Sequence, residues 1–240
     1  MKQAIKLMFI ALLLTCRVCW GQDNVIETIL SSQKSIVSIE AWTMDSRKNP
    51  RTKAVINPKT GQMILNQQVI TAQQRKYAAG VIVAPSGFIV TNCHAVLYSN
   101  KIFVKFADAP LIPAKIIKIQ PENDLALLKV NVPYNLPAIE FADSNDIQLK
   151  EDIINIGNSP LLKETLSAGK IIGLGTNELT KNVEFFKVNL NLYKGDSGGP
   201  ILDKKGRLVG MVMGQIRGKN ETIIAIPSNK IKILYLNSVN

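Results

Sequence analysis

The fold class this sequence predicts is all-β: two antiparallel six-stranded barrels, with short helices at the N- and C-terminal ends. Three observations predict it. Short β-branched runs recur along most of the chain, each broken by turn residues, and they fall into two groups of six. No long amphipathic helix separates them, which excludes the strand–helix alternation of a parallel α/β sheet. The 240 residues, 46% of them apolar, suffice to fill one large β domain or two small ones.

The first residues lie outside that core. Lys2 and Lys6 precede an apolar run from Leu7 to Leu14, and Cys19-Trp20-Gly21 follows. This is the layout of a secretory signal over residues 1–21, cleaved after Gly21, and the run is too short to span a bilayer. Leu13-Leu14-Thr15-Cys16 loosely resembles a lipobox, so a lipid-anchored variant of the export is the alternative. Cleavage removes Lys2, Lys6 and Arg17 and no acid, lowering the +11 charge by those cations. It also removes Cys16 and Cys19, which leaves Cys93 alone and permits no internal disulfide. The remaining positive charge favours weak association with anionic surfaces, but no arginine–aromatic nucleic-acid motif accompanies it.

The elements follow in order. Residues 24–33 read as a short helix with Asn24 as cap, Glu27 at the capping-box position, and Val25, Ile26, Ile29 and Leu30 on one face. The first six strands are expected at 36–39, 80–83, 87–90, 101–106, 111–119 and 125–130. The second six are expected at 153–156, 169–174, 184–192, 200–202, 208–213 and 222–226. Pro85-Ser86-Gly87 and Asp203-Lys204-Lys205-Gly206 have the composition of hairpin turns. Thr43 to Lys76 is polar, basic and long for a connection, so it reads as a projecting loop with its own hairpin through Lys59-Thr60-Gly61. From Ser228 a terminal helix with Ile231, Leu234 and Tyr235 on one side competes with a strand.

The chemistry concentrates in three places. Gly195-Asp196-Ser197-Gly198-Gly199 suits a hydroxyl projecting from a tight turn beside main-chain N–H groups that can face a developing oxyanion. His94, the single histidine, follows the apolar run 88–90. Imidazole is the side chain that is neutral yet proton-accepting near pH 7 without a shift. Asp124 opens the apolar stretch Leu125-Ala126-Leu127-Leu128, where a carboxylate can be buried enough to hold an imidazole tautomer. Taken singly, each has an ordinary explanation: a glycine-rich hairpin, a structural histidine, a turn aspartate. Together, in the order His, Asp, Ser, they make a nucleophilic triad. A thiol nucleophile at Cys93 is disfavoured, because adjacent side chains on an extended segment point apart. One histidine and one remaining cysteine cannot build a zinc site of the usual type, so neither metal nor cofactor is implied. Asn220-Glu221-Thr222 matches a glycosylation sequon, relevant only in a eukaryotic secretory pathway.

From about Ser35 to Asn229 the chain resembles the trypsin-fold serine proteases, within them the HtrA/Deg-like branch. The matching pieces are Gly80-Val81-Ile82-Val83, Gly87 through Val96, Asn123 through Lys129 and Ile156-Gly157-Asn158-Ser159-Pro160. Ser167 through Ile172, the serine pentad and Ala225-Ile226-Pro227-Ser228-Asn229 complete them. The resemblance implies a protease domain over residues 22–240, with barrels at about 35–135 and 150–228 and a triad of His94, Asp124 and Ser197 in the cleft. It implies an oxyanion hole from the N–H groups of Gly195 and Ser197. It also places Asn191, Leu192, Met213 and Ile224 around the primary specificity pocket; with no acid there, and Ile223 where a glycine is usual, an aliphatic residue before the scissile bond is expected. Asp196 stands where the branch usually has Asn, and Tyr193-Lys194 where it has Asn-Pro. Only 198–240 follow Ser197, leaving no room for the PDZ domain common in the branch, and no trypsin-type activation sequence is present. Relatives often form trimers through the N-terminal segment, so a homotrimer is one expectation. The function implied is an exported serine endopeptidase, periplasmic or secreted, acting on protein or peptide substrates. The rivals are a proteolytically silenced peptide-binding chaperone on the same fold, and an esterase sharing the chemistry.

Overall fold

The computed structural model describes residues 22–45, 50–56, 63–69, 72–107, 109–159, 163–176, 182–193, 195–216 and 222–239. The expected signal segment, Lys194, the tip around Lys59-Thr60-Gly61, and Asn220-Glu221 lie outside them. The strands close into two barrels. The first is built from β1 (Ile36–Asp45), β4 (Ala72–Ala84), β5 (Phe88–Asn92), β6 (Lys101–Lys105), β7 (Ile112–Gln120) and β8 (Leu125–Val130). The second uses β9 (Asp152–Ser159), β10 (Lys163–Thr176), β11 (Val183–Val188), β12 (Pro200–Leu202), β13 (Leu208–Ile216) and β14 (Thr222–Pro227). All pairings within the barrels are antiparallel, in the orders β1-β4-β5-β8-β7-β6 and β10-β11-β14-β13-β12-β9. Closure leaves neither barrel a free edge to pair with another chain.

Side chains alternate across each strand, and in β8 both faces are used. Ala126, Leu128 and Val130 fill the first barrel with Val37, Ile39, Ile82 and Ile89. Leu125 and Leu127 point the other way, into a layer shared with Ile154, Ile156, Leu202, Leu208 and Met211 of the second barrel. That is why the run 125–128 is continuously apolar rather than alternating. Ile153, Ile171, Phe186, Val188 and Ile201 fill the second barrel. Three cores result: two barrel interiors and the layer that fastens them together.

Three expectations of secondary structure need correction. Thr43 to Lys76 is not irregular throughout. β1 and β4 stay paired as far as Asp45 opposite Ala72, while the expected hairpin is met by β2 (Pro50–Ile56) pairing with β3 (Met63–Val69). Polar side chains on an antiparallel ribbon that extends past its barrel carry no burial signal, so their composition reads as loop. The first helix, α1, spans Gln22–Gln33, so Asn24 lies inside it and is not its cap. Ile29 of α1 is buried in the inter-barrel layer, whereas Leu30 is exposed and leaves the expected shared face. The strand expected over 184–192 ends at Val188, and Asn189 to Tyr193 leave the sheet without regular structure. At the C-terminus helix wins over strand: α3 (Ser228–Val239) buries Ile231 and Leu234 in the inter-barrel layer.

Candidate active site

His94 sits in α2 (Cys93–Val96), a single helical turn at the end of β5. Asp124 follows the 3-10 turn Pro121–Asn123 and adopts a left-handed backbone, φ 52°, immediately before β8. Since β5 and β8 pair directly, Asn92 lies opposite Leu125 and the two turns emerge side by side. Main-chain bonding locks them: Cys93 N–H donates to the Asp124 carbonyl at 3.0 Å, and the Asn92 side-chain amide donates to the same oxygen at 3.3 Å. The turn before Asp124 is also held from outside, because Lys230 of α3 donates to Asn123 Oδ1 at 3.1 Å and pairs with Glu184 of β11.

The carboxylate of Asp124 grips residue 94 twice. His94 N–H donates to Oδ1 at 2.9 Å, and ring Nδ1 lies 2.7 Å from Oδ2. A carboxylate accepts and does not donate, so Nδ1 carries a proton, and in the neutral form of the ring Nε2 keeps its lone pair. The Asp124 side chain is 13% exposed against 53% for His94, so the ring is open to solvent while the carboxylate is mostly covered.

Cys93 is buried, and its side chain does not share the ring's surroundings. The reason differs from the one expected: residues 93 and 94 lie on a helical turn, not an extended segment, and diverge by its rotation. Burial pushes the Cys93 thiol up, and the charges of Asp124 and Glu122 push it further. That suits an inert thiol.

Ser197 lies on the second barrel, in a turn that packs against Ala79 and Thr91 of the first. Gly195 and Gly198 have φ of 107° and 82°, the left-handed region that glycine tolerates, and they bend the chain sharply around the serine. A Cβ on Gly198 would lie 2.3 Å from the Ala79 carbonyl and 2.6 Å from Thr91 Oγ1. The serine turn therefore packs without a gap on β4 and on the strand that delivers His94. Ala79 N–H donates to the Ser197 carbonyl at 2.8 Å, and Thr91 Oγ1 holds the Ala79 carbonyl at 2.7 Å. Asn155 of β9 donates to the Pro200 carbonyl at 2.8 Å, anchoring the turn's far side. Among the described residues no hydrogen bond joins Ser197 Oγ to His94; in unliganded enzymes such contacts are commonly longer than in the substrate complex.

The N–H groups of this turn divide into two sets. Those of Asp196, Gly198 and Gly199 donate to the carbonyls of Tyr193, Val212 and Asp196. Those of Gly195 and Ser197 have no partner among the described residues. Two neighbouring unpaired donors beside a serine hydroxyl suit a developing oxyanion. Asp196 is almost fully buried, with Tyr193 N–H on Oδ2 at 2.8 Å and Thr165 Oγ1 on Oδ1 at 3.2 Å. Burial pushes its carboxyl up, and those two donors only partly oppose the rise.

The four expected pocket residues lie on the serine side. Asn191 is exposed and Leu192 half-buried against the second barrel's core; Met213 and Ile224 are half-buried, Met213 against the inter-barrel layer. Ser167 Oγ donates to the Asn191 carbonyl, fixing that segment to β10. Ile223, in contrast, is buried in the second barrel's interior. Thr165, Thr91, Ala79 and Asn155 carry no motif of their own. Their parts arise from strand register, which the sequence does not display.

Comparison with known proteins adds relatives. Residues 78–211 match the family model described as a trypsin-like peptidase domain. The periplasmic serine endoprotease DegP of Salmonella typhimurium is 34% identical over 171 residues, covering 68% of this chain and 36% of that protein. A probable periplasmic DegP-like endoprotease of Rickettsia conorii is 30% identical over 228 residues, covering 87% of this chain and 44% of its own. This chain thus spans less than half the length of these relatives. Among solved structures, the HtrA-type protease AlgW with a decapeptide has the same fold, at a TM-score of 0.68 and 22% identity over 90% of this chain and 67% of that one.

Proposed function

Because the chain belongs to the trypsin-like peptidase family and is homologous to DegP-type proteases, we propose that it is an exported serine endopeptidase. The observation that supports this reading is the His94–Asp124 pair: ring Nδ1 lies 2.7 Å from Asp124 Oδ2, which leaves Nε2 outside that hydrogen bond.

Each residue then has a task. As Ser197 Oγ attacks the scissile carbonyl, Nε2 of His94 takes its proton and a C–O bond forms. The carbonyl oxygen becomes negative and accepts from the N–H groups of Gly195 and Ser197. Asp124 stabilises the imidazolium and prevents the ring from turning. Collapse breaks the C–N bond, and His94 returns the proton to the leaving amine. Water, deprotonated by the same nitrogen, hydrolyses the ester and restores Ser197. Export is supported by the periplasmic naming of the relatives and by the charged-then-apolar start of the sequence.

A fluorophosphonate probe tests this. Residues 22–240 are expected to be labelled at Ser197 and to cleave unfolded casein, and Ser197→Ala to do neither. A folded wild-type protein that neither labels nor cleaves would leave the peptide-binding rival standing.

A further inference from the structure

Gly157, Thr165 and Asp196 meet at one point behind the candidate oxyanion turn. Gly157 of β9 and Thr165 of β10 are direct cross-strand partners. A Cβ on Gly157 would lie 2.1 Å from Asp196 Oδ1, 2.1 Å from Thr165 Oγ1 and 2.8 Å from Asp196 Cγ. The missing side chain is therefore the space the carboxylate occupies. Seated there, the carboxylate accepts the Thr165 hydroxyl on one oxygen and Tyr193 N–H on the other, and Asp196 N–H returns to the Tyr193 carbonyl. Among the described residues no cation pairs with it.

We infer that Thr165 is a positioning residue for the reaction: seated over Gly157, it pins the Asp196 carboxylate and thereby holds Tyr193 to Ser197 with the Gly195 and Ser197 N–H groups facing the cleft. The inference rests on the proposed acyl transfer. Thr165 touches none of the reacting atoms and acts only through Asp196. The turn can relax in few other ways. Asp196 makes one main-chain and one side-chain bond to Tyr193, and Gly195, between them, has the backbone freedom of a glycine. Without the hydroxyl, the buried Oδ1 loses its donor, and the carboxylate gains by swinging towards water. It would then release Tyr193 N–H and let Gly195 rotate. A donor displaced by about 1 Å from an oxyanion costs on the order of a hundredfold in rate.

The test compares Thr165→Val, which keeps the bulk and removes the donor, with Thr165→Ser, which restores the donor. Steady-state kinetics on one peptide are read beside amide hydrogen exchange at Tyr193 in the unliganded protein. Expected for Thr165→Val are a kcat lower by roughly tenfold to a hundredfold, a KM within about twofold, and faster exchange at Tyr193. Thr165→Ser recovers most of the kcat and the slow exchange. Gly157→Ala, which expels the carboxylate by filling its space, should reproduce the kcat loss and faster exchange, and decides the matter if Thr165→Val does not fold. A wild-type kcat and wild-type Tyr193 exchange in Thr165→Val, or a Thr165→Ser as impaired as Thr165→Val, overturns the inference. Exchange is read whether or not the wild type cleaves peptides, so an inactive wild type would count against the proposed function alone.

Discussion

Ala79 donates its main-chain N–H to the carbonyl of Ser197 at 2.8 Å, so a strand of the first barrel directly holds the turn that bears the second barrel's serine. The fit depends on Gly198, whose Cβ position is taken by the Ala79 carbonyl and Thr91 Oγ1. Gly198→Ala should cost about 2–4 kcal/mol, from the left-handed backbone and the forced separation. Denaturant unfolding with fluorophosphonate labelling checks it: stability and labelling should fall together. Unchanged labelling would mean the serine turn does not need this seat.

Asp124→Asn should lower kcat by roughly a thousandfold or more with the fold intact. An amide cannot accept both His94 N–H and the Nδ1 proton, and its NH2 favours the tautomer with Nε2 protonated, which cannot receive the serine proton. Kinetics beside a thermal melt read this directly. Activity within tenfold of wild type would remove Asp124 from the triad.

Cys93 should resist alkylation in the native state and react quickly once unfolded, because its thiol is buried and held protonated by burial and nearby acids. Mass spectrometry after iodoacetamide at neutral pH gives the answer. Rapid native modification would contradict the closed packing behind α2.

The Asp196 carboxyl is raised by burial. A carboxyl raised in the folded state favours folding only when protonated, so its contribution is full below the ordinary carboxylate range and is lost as pH rises through the folded value. Asp196→Asn should therefore raise Tm near neutral pH. The gain should shrink towards zero as wild-type Asp196 becomes protonated in acid. A gain equal at all pH values would assign it to packing instead.

Cleavage preference is open to profiling. Leu192, Met213 and Ile224 offer half-buried apolar surface on the half of the chain that carries Ser197, and Asn191 is the polar member of the proposed pocket. A peptide library should show aliphatic residues before the scissile bond. Dominant cleavage after Arg would show that these side chains do not form the primary pocket.

Much of this was legible because periodicity and glycine placement are local. The twelve barrel strands, the turn at Pro85 to Gly87 and the left-handed glycines of the serine pentad all announce themselves over a few residues. What could not be read depends on register or on polar ribbons. Gly157 faces Thr165 only because β9 and β10 pair as they do. The extension of β1 and β4 past their barrel is too polar to signal strand, whereas the hairpin through Lys59-Thr60-Gly61 was expected, and β2 and β3 pair on either side of it. Helix α1 began two residues before its apparent cap because no side-chain signal marks Gln22.

The division of labour between the barrels affects how the chain comes alive. His94 and Asp124 belong to one half, and Ser197 to the other. Under the proposed mechanism, either barrel folded alone would hold a base without its hydroxyl, or a hydroxyl without its base. In the proposed reaction, chemistry therefore waits until the two barrels have docked through their shared layer.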